Sequence, residues 1–148
     1  MIRGTVTEDL VHALVTDSHS EGIVDLSVAA AVEHQGRVLL IASVADELDI
    51  SSELPFTAVL PGEHILDALC RCLAGLGLAV AQFTGYLGHR DQGDGARVLC
   101  FAVTATDPNS ICRSARTGHE WVDLDDFDRF PSSARPQLLE LSARPPMS

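Results

Sequence analysis

Four residues in and just before one predicted helix have side chains that could move protons or attack a substrate. Glu63, His64 and Asp67 lie where the helix begins, and Cys72 lies near its end. Carboxylates, imidazoles and thiols act as general acids and bases, and a thiolate is also a nucleophile. Simpler explanations also apply, because surface charges and solvated histidines are common and Cys is often a small buried hydrophobe. We therefore treat these four residues as candidate catalytic groups.

A second set of residues is suited to binding a polar or anionic group. Arginine grips carboxylates and phosphates through a planar fork, and Tyr and His form directional hydrogen bonds. The set consists of Arg71, Tyr86, His89, Arg90, Arg113, Arg116 and His119. Glu120, which follows directly, is a further candidate acid–base residue. Surface loops that bind no ligand carry the same residue types, so both readings stay open.

The stretch from Leu54 to Val80 positions the first group. A short extended run ends at Pro61-Gly62, a helix follows, and Gly75 and Gly77 end it. At about 100° per residue this helix has one apolar and one polar side. The apolar side contains Ile65, Leu66, Leu69, Cys72, Leu73 and Leu76, with Cys70 at the border. Glu63, Asp67 and Arg71 are spaced four apart, which predicts an exposed charged face.

This stretch resembles the Nudix box. The family pattern is a Gly, five residues, a Glu, seven residues, and then Arg-Glu-aliphatic-any-Glu-Glu-any-Gly-aliphatic. Pro61-Gly62-Glu63 matches the Pro-Gly-Glu that precedes the family's helix, and Arg71 follows after the required seven residues. Thr57 stands where the pattern has its first Gly.

The match ends where the family places its metal ligands. Cys72 holds the position of the first helix Glu, Gly75 and Leu76 hold the paired Glu positions, and one residue is missing before Gly77-Leu78. In the family those three carboxylates bind the magnesium ions that activate water on a diphosphate. A thiol, a hydrogen and an alkyl group do not replace hard oxygen ligands. The resemblance therefore implies a Nudix domain without its metal centre, and we expect no metal and no cofactor.

The resemblance extends over roughly residues 25–141 and implies an α/β fold. We expect a Nudix-like α/β/α sandwich with a mixed central sheet, an N-terminal helix, the box helix and a C-terminal helix. A chain of 148 residues is one domain by the usual prior. Within a single domain over residues 1–148, we expect the N-terminal helix at about 5–16, the core at about 23–141 and a short tail at 142–148.

Local patterns assign the other segments. Thr5 or Thr7 can cap the first helix. The tripeptide His34-Gln35-Gly36 predicts a hairpin turn between two strands, and the acidic run Ala45 to Glu53 predicts a solvated loop. The remaining assignments are a loop at 17–22, strands at 23–33, 37–44, 79–87 and 96–104, a turn at 89–95, a late strand at 119–122 and a helix at 136–142.

Composition excludes several classes of partner. Twenty-one acidic residues against ten basic ones give a net charge of −11, which argues against nucleic acid or an anionic membrane as the main partner. The four cysteines, Cys70, Cys72, Cys100 and Cys112, show no disulfide-framework spacing, so we expect free thiols. No apolar signal segment or membrane span is visible, which predicts a cytoplasmic protein.

Three functions remain open. The first is a metal-independent acid–base enzyme that acts on a small organic metabolite in the old pocket. The second is a non-catalytic domain that binds a small molecule or regulates a partner. The third is a divergent hydrolase of nucleoside diphosphate-linked substrates, with ligands drawn from Glu63, Asp67, Glu120 and the acidic loops. A homodimer is compatible with the first and with the second.

Overall fold

The computed structural model describes residues 6–46, 49–91, 93, 95–107, 119–126 and 130. In these ranges the elements, in chain order, are α1 (Glu8–Ser20), β1 (Asp25–His34), β2 (Arg37–Asp46), β3 (Asp49–Glu53), β4 (Phe56–Ala58), α2 (Ile65–Ala74), β5 (Val80–Asp91), β6 (Ala96–Ala105) and β7 (His119–Asp123). This is the mixed α/β architecture that the sequence predicts. The helix predicted at 136–142, Cys112, and Arg113 and Arg116 of the second set lie outside the described residues.

Strand β1 is the centre of a mixed sheet. It runs parallel to β6, with Asp25 beside Ala96 and Val32 beside Val103, and antiparallel to β4 on its other side. Strand β5 pairs antiparallel with the outer side of β6. Strand β2 meets β1 at their shared hairpin and pairs with both β3 and β7. Within the described residues, β4 and β5 therefore lie on opposite sides of the β1–β6 pair.

The hairpin between β1 and β2 confirms the predicted turn. Gln35 has a φ of 53° and Gly36 a φ of 76°. Positive φ at both central residues is the geometry of a type I′ turn, whose twist matches that of the flanking strands. Gly36 adopts this conformation without the steric cost that a side chain brings.

The sheet has a separate apolar core on each face. Along β6, Leu99, Phe101 and Val103 belong to one core and Cys100 and Ala102 to the other, because successive side chains point to opposite faces. Val11 of α1 and Leu69 of α2 join the first core, so both helices cover the same face. We call this the helix face.

Helix α1 begins and ends later than predicted. Thr7 is its N-cap, as expected, and its hydroxyl accepts a hydrogen bond from Leu10 N–H at 3.2 Å. The loop expected at 17–22 was wrong over its first part, because the helix continues to Ser20. The Ser18 hydroxyl donates to the Leu14 carbonyl at 2.8 Å, so this residue satisfies its polar group inside the helix.

The acidic run was also assigned wrongly. Strand β2 continues to Asp46 and β3 begins at Asp49, so most of the expected solvated loop is paired strand. Strand β5 likewise runs to Asp91, past the predicted start of the turn. Among the described helices, none is long and apolar enough to cross a membrane.

Candidate functional site

Helix α2 forms where the sequence predicts it and places the first group of candidates. Ile65, Ala68, Leu69 and Leu73 are buried, which fixes the helix on the sheet by its apolar side. Gly75 is the C-cap, in agreement with the expected end. The helix lies over β1 and β4. Asp67 lies on the exposed side, in the first turn.

Glu63 and Arg71 form a hydrogen-bonded pair that closes the loop before α2. Arg71 Nε donates to Glu63 Oε2 at 3.1 Å, and Arg71 Nη2 donates to Glu63 Oε1 at 3.0 Å. The same guanidinium donates to the Ala58 carbonyl at 2.8 Å and the Thr57 hydroxyl at 3.3 Å, both on β4. We call these four residues the Arg71 clasp. It fixes the start of the helix against the neighbouring strand.

The Glu63 carboxylate is engaged on both oxygens. Besides the two bonds from Arg71, Oε1 accepts the Leu60 N–H at 3.0 Å. These hydrogen bonds, above all those from Arg71, lower the pKa of Glu63. The group is thus an ionised structural acceptor near neutral pH and is poorly suited to deliver or collect a proton.

His64 uses both ring nitrogens in structural contacts. It is the N-cap of α2, where Nδ1 accepts the Leu66 N–H at 3.1 Å. Nε2 lies 3.0 Å from Glu8 Oε2, at the beginning of α1. The imidazole therefore joins the first turns of the two helices.

The thiols on α2 are protonated near neutral pH. Burial raises the pKa of Cys72, and the opposing effect of Arg71 is smaller. Cys70 is exposed, but partial burial of its thiol and the nearby Asp67 raise its pKa. A thiolate needs a cation or a helix N-terminus nearby, and Cys72 lies near the C-terminal end of its helix.

The residues that the resemblance places at the family's metal positions do not fit magnesium. Cys72 offers a protonated sulfur, Gly75 no side chain, and Leu76 an apolar side chain that packs against the helix-face core. Mg²⁺ requires near-octahedral oxygen ligands. Among the described residues, no three His, Cys, Asp or Glu side chains form a group that could hold a metal ion.

Part of the second group comes together on β5. The Tyr86 hydroxyl lies 3.4 Å from His89 Nδ1. Residues three apart in a regular strand face opposite ways, but the pairing register with β6 shifts between Tyr86 and Gly88 and brings the two side chains together. Tyr86 packs on Phe101 with ring centroids 5.2 Å apart, and burial raises its pKa to about 12. Arg90 is partly buried on the same strand.

Apart from Arg71, which pairs with Glu63, the described members of the second group do not join the first group in one site. Helix α2 lies over β1 and β4, whereas Tyr86 and His89 lie on β5, on the far side of β6. On β7, Trp121 packs against the helix-face core and Val122 against the opposite core. Side chains two apart in a strand lie on the same face, so Glu120 lies on the face of Val122 and points away from α2. His119 begins the same strand.

A buried arginine forms a third polar cluster, which sequence reasoning missed. Arg97 on β6 donates to both oxygens of Asp91, with Nε–Oδ1 at 2.7 Å, and to both oxygens of Glu21, with Nη1–Oε2 at 3.0 Å. Its Nη1 also reaches the Ser18 hydroxyl at 3.5 Å. We call these four residues the Arg97 anchor. An arginine inside an otherwise apolar strand is the signal that indicates it.

Solved structures with this fold include Nudix hydrolases. The solution structure of the E. coli ORF135 protein aligns with a TM-score of 0.67 at 20% identity, over 84% of this chain and 92% of that one. A MutT structure, from work on Aliivibrio salmonicida and Vibrio cholerae, gives 0.65 at 22% identity over 81% and 97%. A Nudix hydrolase from Nitrosomonas europaea gives 0.59 at 21% over 83% and 93%. No protein-family model and no curated protein matches the sequence.

Proposed function

We propose that this chain, which has the Nudix fold, binds a small organic molecule beside α2 and has lost the magnesium-dependent diphosphate hydrolase centre. Of the alternatives left open by the sequence, this is the non-catalytic binding domain. The observation that carries the proposal is the Arg71 clasp, in which the one box carboxylate present, Glu63, is bound on both oxygens by Arg71 and Leu60 N–H.

The chemistry around the clasp also favours binding over turnover. His64 has both ring nitrogens in contacts with Leu66 and Glu8, and the Cys72 thiol is protonated near neutral pH. The helix therefore offers hydrogen-bonding and apolar groups and no poised acid–base pair. Leu76, which the resemblance places at one of the metal positions, is apolar and packs against the helix-face core, and this favours a ligand with less charge than a nucleotide.

Turnover assays test the loss of hydrolysis. Purified protein is incubated with Mg²⁺ and a panel of nucleoside and sugar diphosphates, with and without EDTA, and the phosphomonoester products are measured by chromatography. We expect no turnover above the protein-free rate. Turnover that EDTA abolishes would contradict the proposal. Cys72→Glu should remain inactive, because Gly75 and Leu76 still supply no oxygen ligand, and activity in that single variant would also overturn it.

Thermal shifts with a metabolite panel test the binding claim. A ligand that binds only the folded state adds about 2.7 kcal/mol of stability at 100 times its Kd. We expect stabilisation by an organic ligand that EDTA leaves unchanged and that Asp67→Asn or Cys72→Ser weakens. The exposed Arg37→Ala substitution on β2 is the matched control and should leave the shift intact. A panel that gives no shift, or a shift that needs Mg²⁺, would contradict the claim.

A metal-independent acid–base enzyme is the second candidate, and the contact between Tyr86 and His89 favours it. The Tyr86 hydroxyl is protonated near neutral pH, because burial raises its pKa, and it lies 3.4 Å from an imidazole nitrogen with which it can share a hydrogen bond. If this pair carries catalysis, Tyr86→Phe should abolish turnover of a ligand found in the thermal screen. Equal turnover in Tyr86→Phe and the wild type would reject the pair.

A further inference from the structure

The imidazole of His64 has only one neutral form that fits its contacts. Nδ1 accepts the Leu66 N–H at 3.1 Å, so it carries no proton, and the ring hydrogen lies on Nε2. That N–H donates to Glu8 Oε2 at 3.0 Å. Neutral His64 thus caps α2 with one nitrogen and holds α1 with the other.

A second proton on the ring can only go to Nδ1, the capping nitrogen. The Nδ1–H would then point at the Leu66 N–H, and the first turn of α2 would lose its acceptor. The positive ring would also face the positive end of the helix dipole.

The charged groups around His64 oppose this loss only weakly. Glu8 on α1 would gain an ion pair, but its side chain is 80% exposed, and such pairs are weak in water. Asp67 lies in the first turn of α2 and is exposed. Glu63, just before the helix, is already paired with Arg71.

We propose that His64 is a proton-dependent clip between the two helices. When the ring is neutral it fixes the first turn of α2 against α1, and when the ring is protonated that turn opens. His64 is a positioning residue in this account, because it acts on the helix that carries Asp67, Arg71 and Cys72. The clip follows from the contacts of the ring alone and so holds with or without the proposed function.

The chain contains its own control for this effect. At the start of α1, the Thr7 hydroxyl accepts the Leu10 N–H at 3.2 Å, in the same way that His64 Nδ1 accepts the Leu66 N–H. Threonine does not change charge with pH. The amides of Leu10 and Leu66 therefore report two equivalent caps, of which only one depends on a proton.

Hydrogen exchange by NMR on the full chain tests the clip. Protection factors, corrected for the intrinsic exchange rate, are measured at a series of pH values from about 8 to about 5. We expect protection of the Leu66 amide to fall about fivefold relative to that of Leu10, the size expected for loss of one cap. His64→Asn keeps an oxygen acceptor and cannot titrate, so its Leu66 amide should show no such fall.

Two results would overturn the clip. The first is a Leu66 protection factor that follows that of Leu10 at every pH. The second is a fall of the same size in His64→Asn. Imidazole ¹⁵N shifts give a readout that a purely structural role would not move. At the upper end of the range we expect the proton on Nε2, and a ring protonated on Nδ1 would reject the arrangement.

Discussion

Two arginines hold carboxylates by the same chemistry in opposite surroundings. In the Arg71 clasp the guanidinium side chain is 42% exposed, and in the Arg97 anchor it is 5% exposed. Arg71 grips one carboxylate and two groups of β4, all within the segment before its own helix. Arg97, on β6, joins the end of α1 to β5, and its partner Glu21 lies 76 residues away in the sequence.

The difference in burial indicates that the two arginines have different roles. A buried charge is tolerated only when it is fully hydrogen-bonded, and Arg97 meets this with five contacts for its five N–H groups. Arg71 faces water on one side, so water can replace a lost partner. We infer that the anchor supports the fold and that the clasp mainly shapes the candidate site.

The largest effect should come from removing the anchor. Arg97→Ala leaves Glu21 and Asp91 facing one another without their cation, and we expect a loss of about 2–3 kcal/mol in the free energy of unfolding. This is below the value for fully buried pairs, because the two carboxylate side chains are 57% and 51% exposed. Urea unfolding measures it. Arg97→Lys keeps the charge without the planar fork, so its free energy of unfolding should lie between those of the wild type and Arg97→Ala.

The exposed pair of Arg37 and Asp123 is the control for this prediction. These residues face one another on β2 and β7 at 3.2 Å, with both side chains more than half exposed. Arg37→Ala should cost less than about 1 kcal/mol. Equal losses in Arg97→Ala and Arg37→Ala would refute the distinction between the two surroundings.

The anchor should also set part of the acid sensitivity. Hydrogen bonds from Arg97 lower the pKa of Glu21 and of Asp91. Each folded-state pKa lies below the pKa of the same carboxyl group in the unfolded chain, which is about 4. The stabilisation is therefore complete above that unfolded pKa and is lost as the pH falls through the folded-state pKa. Unfolding free energies measured by urea should fall below about pH 5. Arg97→Met should show a shallower fall, and an unchanged slope would contradict this assignment.

Breaking the clasp should cost less than breaking the anchor. Arg71→Ala removes the bonds to Glu63, Thr57 and Ala58, yet water reaches the vacated groups, so the loss should lie between those of Arg37→Ala and Arg97→Ala. Hydrogen exchange should show the effect near residues 57–66 and leave β5 and β6 protected. Loss of protection throughout the sheet would show that the clasp also supports the whole fold.

The same contrast explains what the sequence could predict. Helix α2 and the Gln35-Gly36 turn follow from local rules, namely amphipathic spacing and residues that accept positive φ. The acidic strand β3 depends on pairing with β2, and the end of α1 depends on Arg97 reaching Ser18. Local propensity cannot predict these contacts, because the partners are distant in the sequence.

The candidate site shows the same limit. Spacing predicted that Glu63, Asp67 and Arg71 form one charged face, but Glu63 precedes the N-cap and is not in the helix. Its side chain therefore reaches Arg71 directly and bypasses Asp67. The bulge that joins Tyr86 to His89 likewise reverses the facing expected from strand alternation.

The smallest expected effect tests whether the negative charge of Glu63 offsets the effect of Arg71 on the pKa of Cys72. Glu63→Gln leaves Arg71 without its counter-charge, so the pKa of Cys72 should fall and its thiolate become more frequent. We expect the rate of Cys72 alkylation by iodoacetamide near neutral pH to rise about two- to threefold, a size limited by solvent screening. Mass spectrometry after digestion separates the cysteines. The exposed Cys70 is the matched control on the same helix, and an equal rise at Cys70 would mean that Glu63→Gln loosens α2 and does not act through the charge of Arg71.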